Sequence, residues 1–123
     1  MSLRENISAA IGAHGLWKTK LRTAIESGSC DIPVQRIRDE KRCAFGSWLQ
    51  GPARSAGIKE WDDYHKCLEL HQKFHGAAAD VAALAAAGKK REAAEAMATS
   101  GQFGKLSAEL TRAMQAWLDR EAG

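Results

Sequence analysis

The chain has 123 residues, is 27% charged with a formal net charge of +3, and is rich in alanine with only two prolines. That length makes a single domain, residues 1–123, with a core of its own, and the scarcity of β-branched residues leaves little to build strands from, so an all-α fold is expected. Charges of both signs interleave, as where Lys89-Lys90-Arg91 is followed by Glu92 and Glu95, which reads as solvated helix faces and gives no reason to expect a nucleic-acid partner. No stretch approaches the ~20 apolar residues of a membrane span, and the N-terminus carries no signal-peptide apolar segment. A cytoplasmic protein without membrane insertion is expected.

The first predicted helix covers residues 3–27. Ile7, Ala10 and Ile11, His14, Trp17, Leu21 and Ile25 recur at spacings of three and four, so His14 occupies a position that its neighbours fill with apolar side chains. Gly28 is the expected C-terminal stop, and residues 29–33 form the turn. Cys30 falls in that turn as a spare thiol. A shorter helix is predicted over residues 34–49, ended by Gly51-Pro52, and a loop over 52–57. The third helix covers 58–87, with Trp61, Leu68, His71, Phe74, His75, Ala78, Val81 and Leu84 inward, and Gly88 as its cap. The last covers 89–120, with Met97, Phe103, Leu106, Leu110, Met114 and Trp117 inward, and is expected to break near Ser100-Gly101, where glycine costs about 1 kcal/mol relative to alanine. The architecture predicted is an antiparallel helical bundle of three long helices plus a short connecting one.

Four side chains stand out as metal donors: His14, Cys43, His71 and His75. His71 and His75 lie four apart on one helical face, half of a tetrahedral site from a single element. The other half must come from elsewhere in the bundle. His14 projects inward from the first helix, and Cys43 opens the aromatic segment Ala44-Phe45-Gly46-Ser47-Trp48-Leu49. Taken singly, a histidine on an apolar face is more often a hydrogen-bonded core residue. Jointly, buried imidazoles without a metal would leave nitrogens unsatisfied at about 1–3 kcal/mol each. His65 lies about 240° around the helix from His71 and faces away. Cys67 shares the His71 and His75 face, but Cα atoms eight residues apart stand ~12 Å apart along a helix axis, so Cys67 reads as a core thiol.

Three imidazoles and a thiolate suit Zn2+ and fill its coordination sphere, leaving no open position for a substrate or water. In the zincin motif a glutamate follows the first histidine as general base; here that position is Gln72, which cannot take the proton. A di-iron bundle needs Glu-x-x-His spacings, which none of these histidines has. The chain therefore reads as a zinc-binding protein and not an enzyme, with a sensory role on one reading and a structural zinc-stapled dimerisation module on the other.

Three segments resemble the chemoreceptor zinc-binding (CZB) domain of bacterial signalling proteins: His14-Gly15-Leu16-Trp17-Lys18, Cys43-Ala44-Phe45-Gly46-Ser47-Trp48-Leu49, and His71-Gln72-Lys73-Phe74-His75. Their order and spacing agree, and the similarity extends to about Trp117. The resemblance implies a cytosolic, dimer-forming helical zinc sensor with these three histidines and one cysteine as ligands. It implies, further, that zinc occupancy or oxidation of Cys43 modulates an output partner of chemoreceptor or diguanylate cyclase type, hence chemotaxis or cyclic-di-GMP signalling. Such output modules commonly accompany the domain; none is recognisable here, so an excised domain or a stand-alone member is expected. Asp39, one turn before Cys43, is either a solvated acid or a group that orients a ligand.

Overall fold

A computed structural model describes residues 2–55 and 61–122. The described residues form helices α1 (Leu3–Gly15), α2 (Trp17–Ser27), α3 (Val34–Arg38), α4 (Ala44–Gln50), α5 (Pro52–Ser55), α6 (Asp62–Ala86), α7 (Lys90–Met97) and α8 (Gln102–Ala122), with a 3₁₀ turn at Glu40–Arg42 and no strand among them. The fold is the all-α helical bundle that composition and periodicity predict.

Local chemistry starts and stops these helices. Ser2 and Glu5 form a reciprocal capping box at α1: the Glu5 amide donates to Ser2 Oγ at 3.1 Å, and the Ser2 amide donates to Glu5 Oε1 at 3.2 Å. Gly28 and Gly88 follow α2 and α6 with φ of 74° and 77°, a left-handed backbone that glycine adopts without a Cβ penalty. Both were the expected stops. The expected break in the last helix falls at residues 98–101, between α7 and α8.

Helix α6 is the spine. It packs against α8, α3, α2 and α7, while α1 packs against α8 and α4. Along α6 the buried positions include Cys67, Leu70, His71, Phe74, His75, Ala78 and Val81. Phe74 meets Phe103 with ring centroids 5.1 Å apart. Trp117, fully buried, tilts against Trp48 at 5.8 Å, and the Tyr64 hydroxyl donates to the Leu49 carbonyl at 2.8 Å, fixing α4 to α6.

The structure corrects several sequence expectations. The helix predicted over 3–27 is interrupted at Leu16, which keeps helical torsions (φ −67°, ψ −19°) but is 60% exposed. Gly12 and Gly15 precede it, so little side-chain packing holds that turn regular. The helix predicted over 34–49 is three pieces, because Asp39 (φ −81°, ψ 96°) and Cys43 (φ −90°, ψ 157°) are extended. Part of the predicted loop is helical: Pro52 starts α5, where its missing N–H loses nothing. The predicted start of the third helix at Ile58 and the loop end at Gly57 lie outside the described residues. Trp61, expected inward, is 43% exposed; it precedes the first turn of α6 as its N-cap and so escapes the face that the helix buries. Leu68, Leu84, Leu106 and Met97 are only half-buried at the core margin.

Candidate metal centre

His14 enters from the last turn of α1, Cys43 from the N-cap of α4, and His71 and His75 from adjacent turns of α6. One donor atom from each lies within 4.8 Å of all the others. His14 Nε2 and His71 Nε2 are 3.0 Å apart, Cys43 Sγ is 3.2 Å from His71 Nε2, and Cys43 Sγ is 3.9 Å from His14 Nε2. With Zn–N near 2.1 Å and Zn–S near 2.3 Å, a tetrahedral ion spaces its donors by roughly 3.5 Å, so these separations bracket what zinc requires.

Two backbone carbonyls fix the imidazole tautomers. His14 Nδ1 lies 2.7 Å from the Ala10 carbonyl, and His75 Nδ1 lies 2.8 Å from that of Ile37. A carbonyl only accepts, so each Nδ1 carries the proton and each Nε2 keeps its lone pair. His75 Nε2 is buried and has no hydrogen-bond partner among the protein atoms; His71 Nδ1 is likewise unpartnered. An orphaned buried lone pair costs about 1–3 kcal/mol, and a cation among the donors relieves it at His75. The site fits zinc on this count as well as on donor chemistry.

The electrostatics prepare the histidines and restrain the cysteine. Burial pushes His14 down to about 4 and His71 down to about 2, each lowered further by a neighbouring imidazole, and burial also lowers His75. All three are neutral at pH 7, the form that ligates. Burial raises Cys43, opposed by backbone N–H groups, chiefly that of Gly46, which donates to Sγ at 3.4 Å. Its deprotonation must be driven by a metal's charge.

Aromatic rings close the surroundings. Phe45 and Phe74 stand edge-on to His14 at 5.9 and 5.3 Å, Phe45 to His71 at 5.2 Å, and Trp17 to His75 at 6.2 Å. The three histidines are at most 4% exposed, whereas Cys43 is half-buried.

The remaining candidates fall elsewhere. Cys67 is fully buried in the apolar core, Cys30 is half-buried beside α2, and His65 is exposed. Asp39 accepts from the Lys41 amide at 3.2 Å and pairs with Arg42 at 3.5 Å, so it caps the 3₁₀ turn. Gln72 is exposed, its amide donating to Glu40 Oε1 at 3.4 Å.

Gly46 matters in a way that sequence reasoning missed. A Cβ there would overlap the Glu40 carbonyl and come within 3.1 Å of His71 Cε1. The absent side chain lets the turn at 40–42 fold onto α4, which sets Cys43 facing His71. A glycine inside an otherwise helical aromatic run is the available signal. Ala10 was findable as the residue one turn before His14. Ile37, 38 residues from His75, had no sequence signal.

The family model for the chemoreceptor zinc-binding domain matches residues 14–82. That span begins at His14, includes Cys43, His71 and His75, and stops short of α7 and α8, which the resemblance was expected to cover up to Trp117. No curated protein and no solved structure matches the chain. The family binds zinc and is a signalling one rather than a catalytic one. With a match over more than half its length and a His3Cys donor group that fits the metal, this chain belongs to the chemoreceptor zinc-binding domain family.

Proposed function

We propose that His14, Cys43, His71 and His75 coordinate one zinc ion, and that the domain is a cytoplasmic sensory module acting as a homodimer on a chemotaxis or cyclic-di-GMP output. The observation that carries this reading is the convergence of four donors from three separate segments, α1, the turn before α4, and α6. When bound, zinc supplies a Lewis-acidic crosslink between those segments.

The residues divide the work. His14 and His75, held by the carbonyls of Ala10 and Ile37, present fixed Nε2 lone pairs. Cys43 is the least buried donor and sits at the N-cap of a short helix. It is the ligand that an oxidant reaches. Oxygen-atom transfer from a peroxide or hypohalous acid to its sulfur, releasing hydroxide or halide, gives a sulfenic acid. The oxidised Cys43 no longer binds as a thiolate, and the 40–50 segment is freed to shift against α1 and α6. That shift is the signal passed to a chemoreceptor-type or diguanylate-cyclase-type partner. The reading includes no catalytic role, since the amide of Gln72 cannot act as the zincin base. It includes no membrane insertion either, and no described helix is long and apolar enough to cross a membrane.

Native mass spectrometry of protein purified without added metal tests it, with one zinc per chain and an even-numbered assembly expected. Cys43→Ala should lower zinc affinity while far-UV circular dichroism stays helical; unchanged affinity would remove Cys43 from the set. Reversible zinc exchange with a change in near-UV dichroism marks a sensor, whereas a pure staple either fails to exchange or unfolds.

A further inference from the structure

A cleft of about 130 Å³ opens beside the donor group, lined by Trp17, Ile32, Arg36, Ile37, Asp39, Arg42, Cys43 and His75. Two of the four donors therefore face it. His14 and His71 do not line it; they are buried, in contact with the rings of Phe45 and Phe74. One wall is Trp17, edge-on to His75 and half-buried, with Lys20 Nζ 4.8 Å over its ring. The charged residues that line the cleft are Arg36, Asp39 and Arg42, and their charges are unbalanced. Arg42 is paired with Asp39 at 3.5 Å, which leaves the exposed Arg36 as the excess positive charge at the mouth.

We infer that the metal is exchanged through this cleft, and that Arg36 favours anionic carboxylate chelates as the exchanging species over neutral ones. The inference rests on the proposed zinc ligation. The geometry supplies the reason. A chelator must displace protein donors one at a time, and the donors within its reach from this side are Cys43, at the N-cap of the short helix α4, and His75. An excess cation at the mouth raises the local concentration of an anionic carrier and disfavours a bare hydrated dication. Release would then be an associative step whose rate depends on the carrier's charge and concentration.

The test is stopped-flow removal of zinc from the full chain by EDTA, a polyanionic carboxylate, and by phenanthroline, which is neutral. The wild-type rate should rise with chelator concentration. Arg36→Glu should slow removal by EDTA about three- to tenfold at low ionic strength and leave phenanthroline unaffected; the difference should vanish near 1 M salt, where screening acts within ~3 Å. Lys105→Glu, an equal change in net charge at an exposed residue of α8 outside the cleft, should have a smaller effect. Trp17→Ala should speed both chelators by removing a wall. Zinc loss at one rate whatever the chelator and its concentration would mean that the bundle must open first, and would overturn the inference. Equal effects of Arg36→Glu and Lys105→Glu would overturn it too, by reducing the selectivity to net charge. Failure of the underlying ligation would look different: wild-type protein would hold less than one zinc per chain before any chelator is added.

Discussion

Replacing Gly46 with alanine separates the metal centre from the stability of the fold. An added Cβ at 46 overlaps the Glu40 carbonyl oxygen, lies 2.7 Å from the Glu40 carbonyl carbon, and meets His71 Cε1 at 3.1 Å. Ordinary contact begins near 3.4 Å, so the 40–42 turn must retreat from α4 by roughly 0.7 Å or more, since backbone cannot swing aside as a side chain does. Metal sites tolerate errors of only about 0.2 Å in ligand distance, and Cys43 sits between the two clashing segments. Overpacking of this kind costs about 1–3 kcal/mol of stability, and displaced supporting structure costs about 10- to 100-fold in metal affinity. Gly101→Ala is the control. Its Cβ would overlap the Glu95 and Ala96 carbonyls, in the α7–α8 connection and away from the four donors. Both variants should melt lower than wild type in the absence of metal, and competition against a fluorescent zinc chelator should show reduced affinity in Gly46→Ala alone. Wild-type affinity in Gly46→Ala, or an equal loss in both variants, would refute the claim that Gly46 positions Cys43.

Acid should destabilise the zinc-free chain ahead of general acid unfolding. Burial lowers His14 from 6.5 to about 4, so between these values the unfolded chain binds more protons than the folded one and stability falls as pH falls. His14 alone accounts for about 2 kcal/mol between pH 7 and pH 5, and an unchanged urea midpoint over that interval would contradict burial of a neutral imidazole. Iodoacetamide applied to the native protein should spare Cys67, which is fully buried and pushed up to about 12 by burial and then by the nearby Asp63. It should modify Cys30 throughout and Cys43 only after zinc removal; peptide mass spectrometry showing Cys67 labelled as fast as Cys43 would contradict the core placement. Phe74→Ala should cost about 3–5 kcal/mol in urea unfolding, because the ring, 1% exposed, fills the space between His14 and Phe103. A loss below about 1 kcal/mol would mean that the core closes around the gap.

Much of this protein is written locally. The i,i+4 spacing of His71 and His75 puts two imidazoles on one face of any helix containing them. The apolar period around His14 turns it inward, and Gly28 and Gly88 stop their helices because each takes a left-handed φ. Such features depend on neighbours within one or two turns, which is why periodicity and turn chemistry reveal them. The inward placement of the three histidines was legible for the same reason; Cys43, an extended N-cap, has no such period to place it.

Tertiary structure alone decided the rest. The 34–49 stretch has helical composition, yet Asp39 and Cys43 are extended, because the chain must fold the Glu40 carbonyl against Gly46 to bring a thiol to His71. Trp61 has an apolar side chain at a plausible inward position but is exposed, since the helix begins after it. The tautomer of His75 depends on the Ile37 carbonyl, supplied from 38 residues away. Residue types and their periods determine which side chains are buried. Which backbone carbonyl each buried nitrogen meets, and where a helix must break so that four donors coincide, depends on long-range packing that no local window contains.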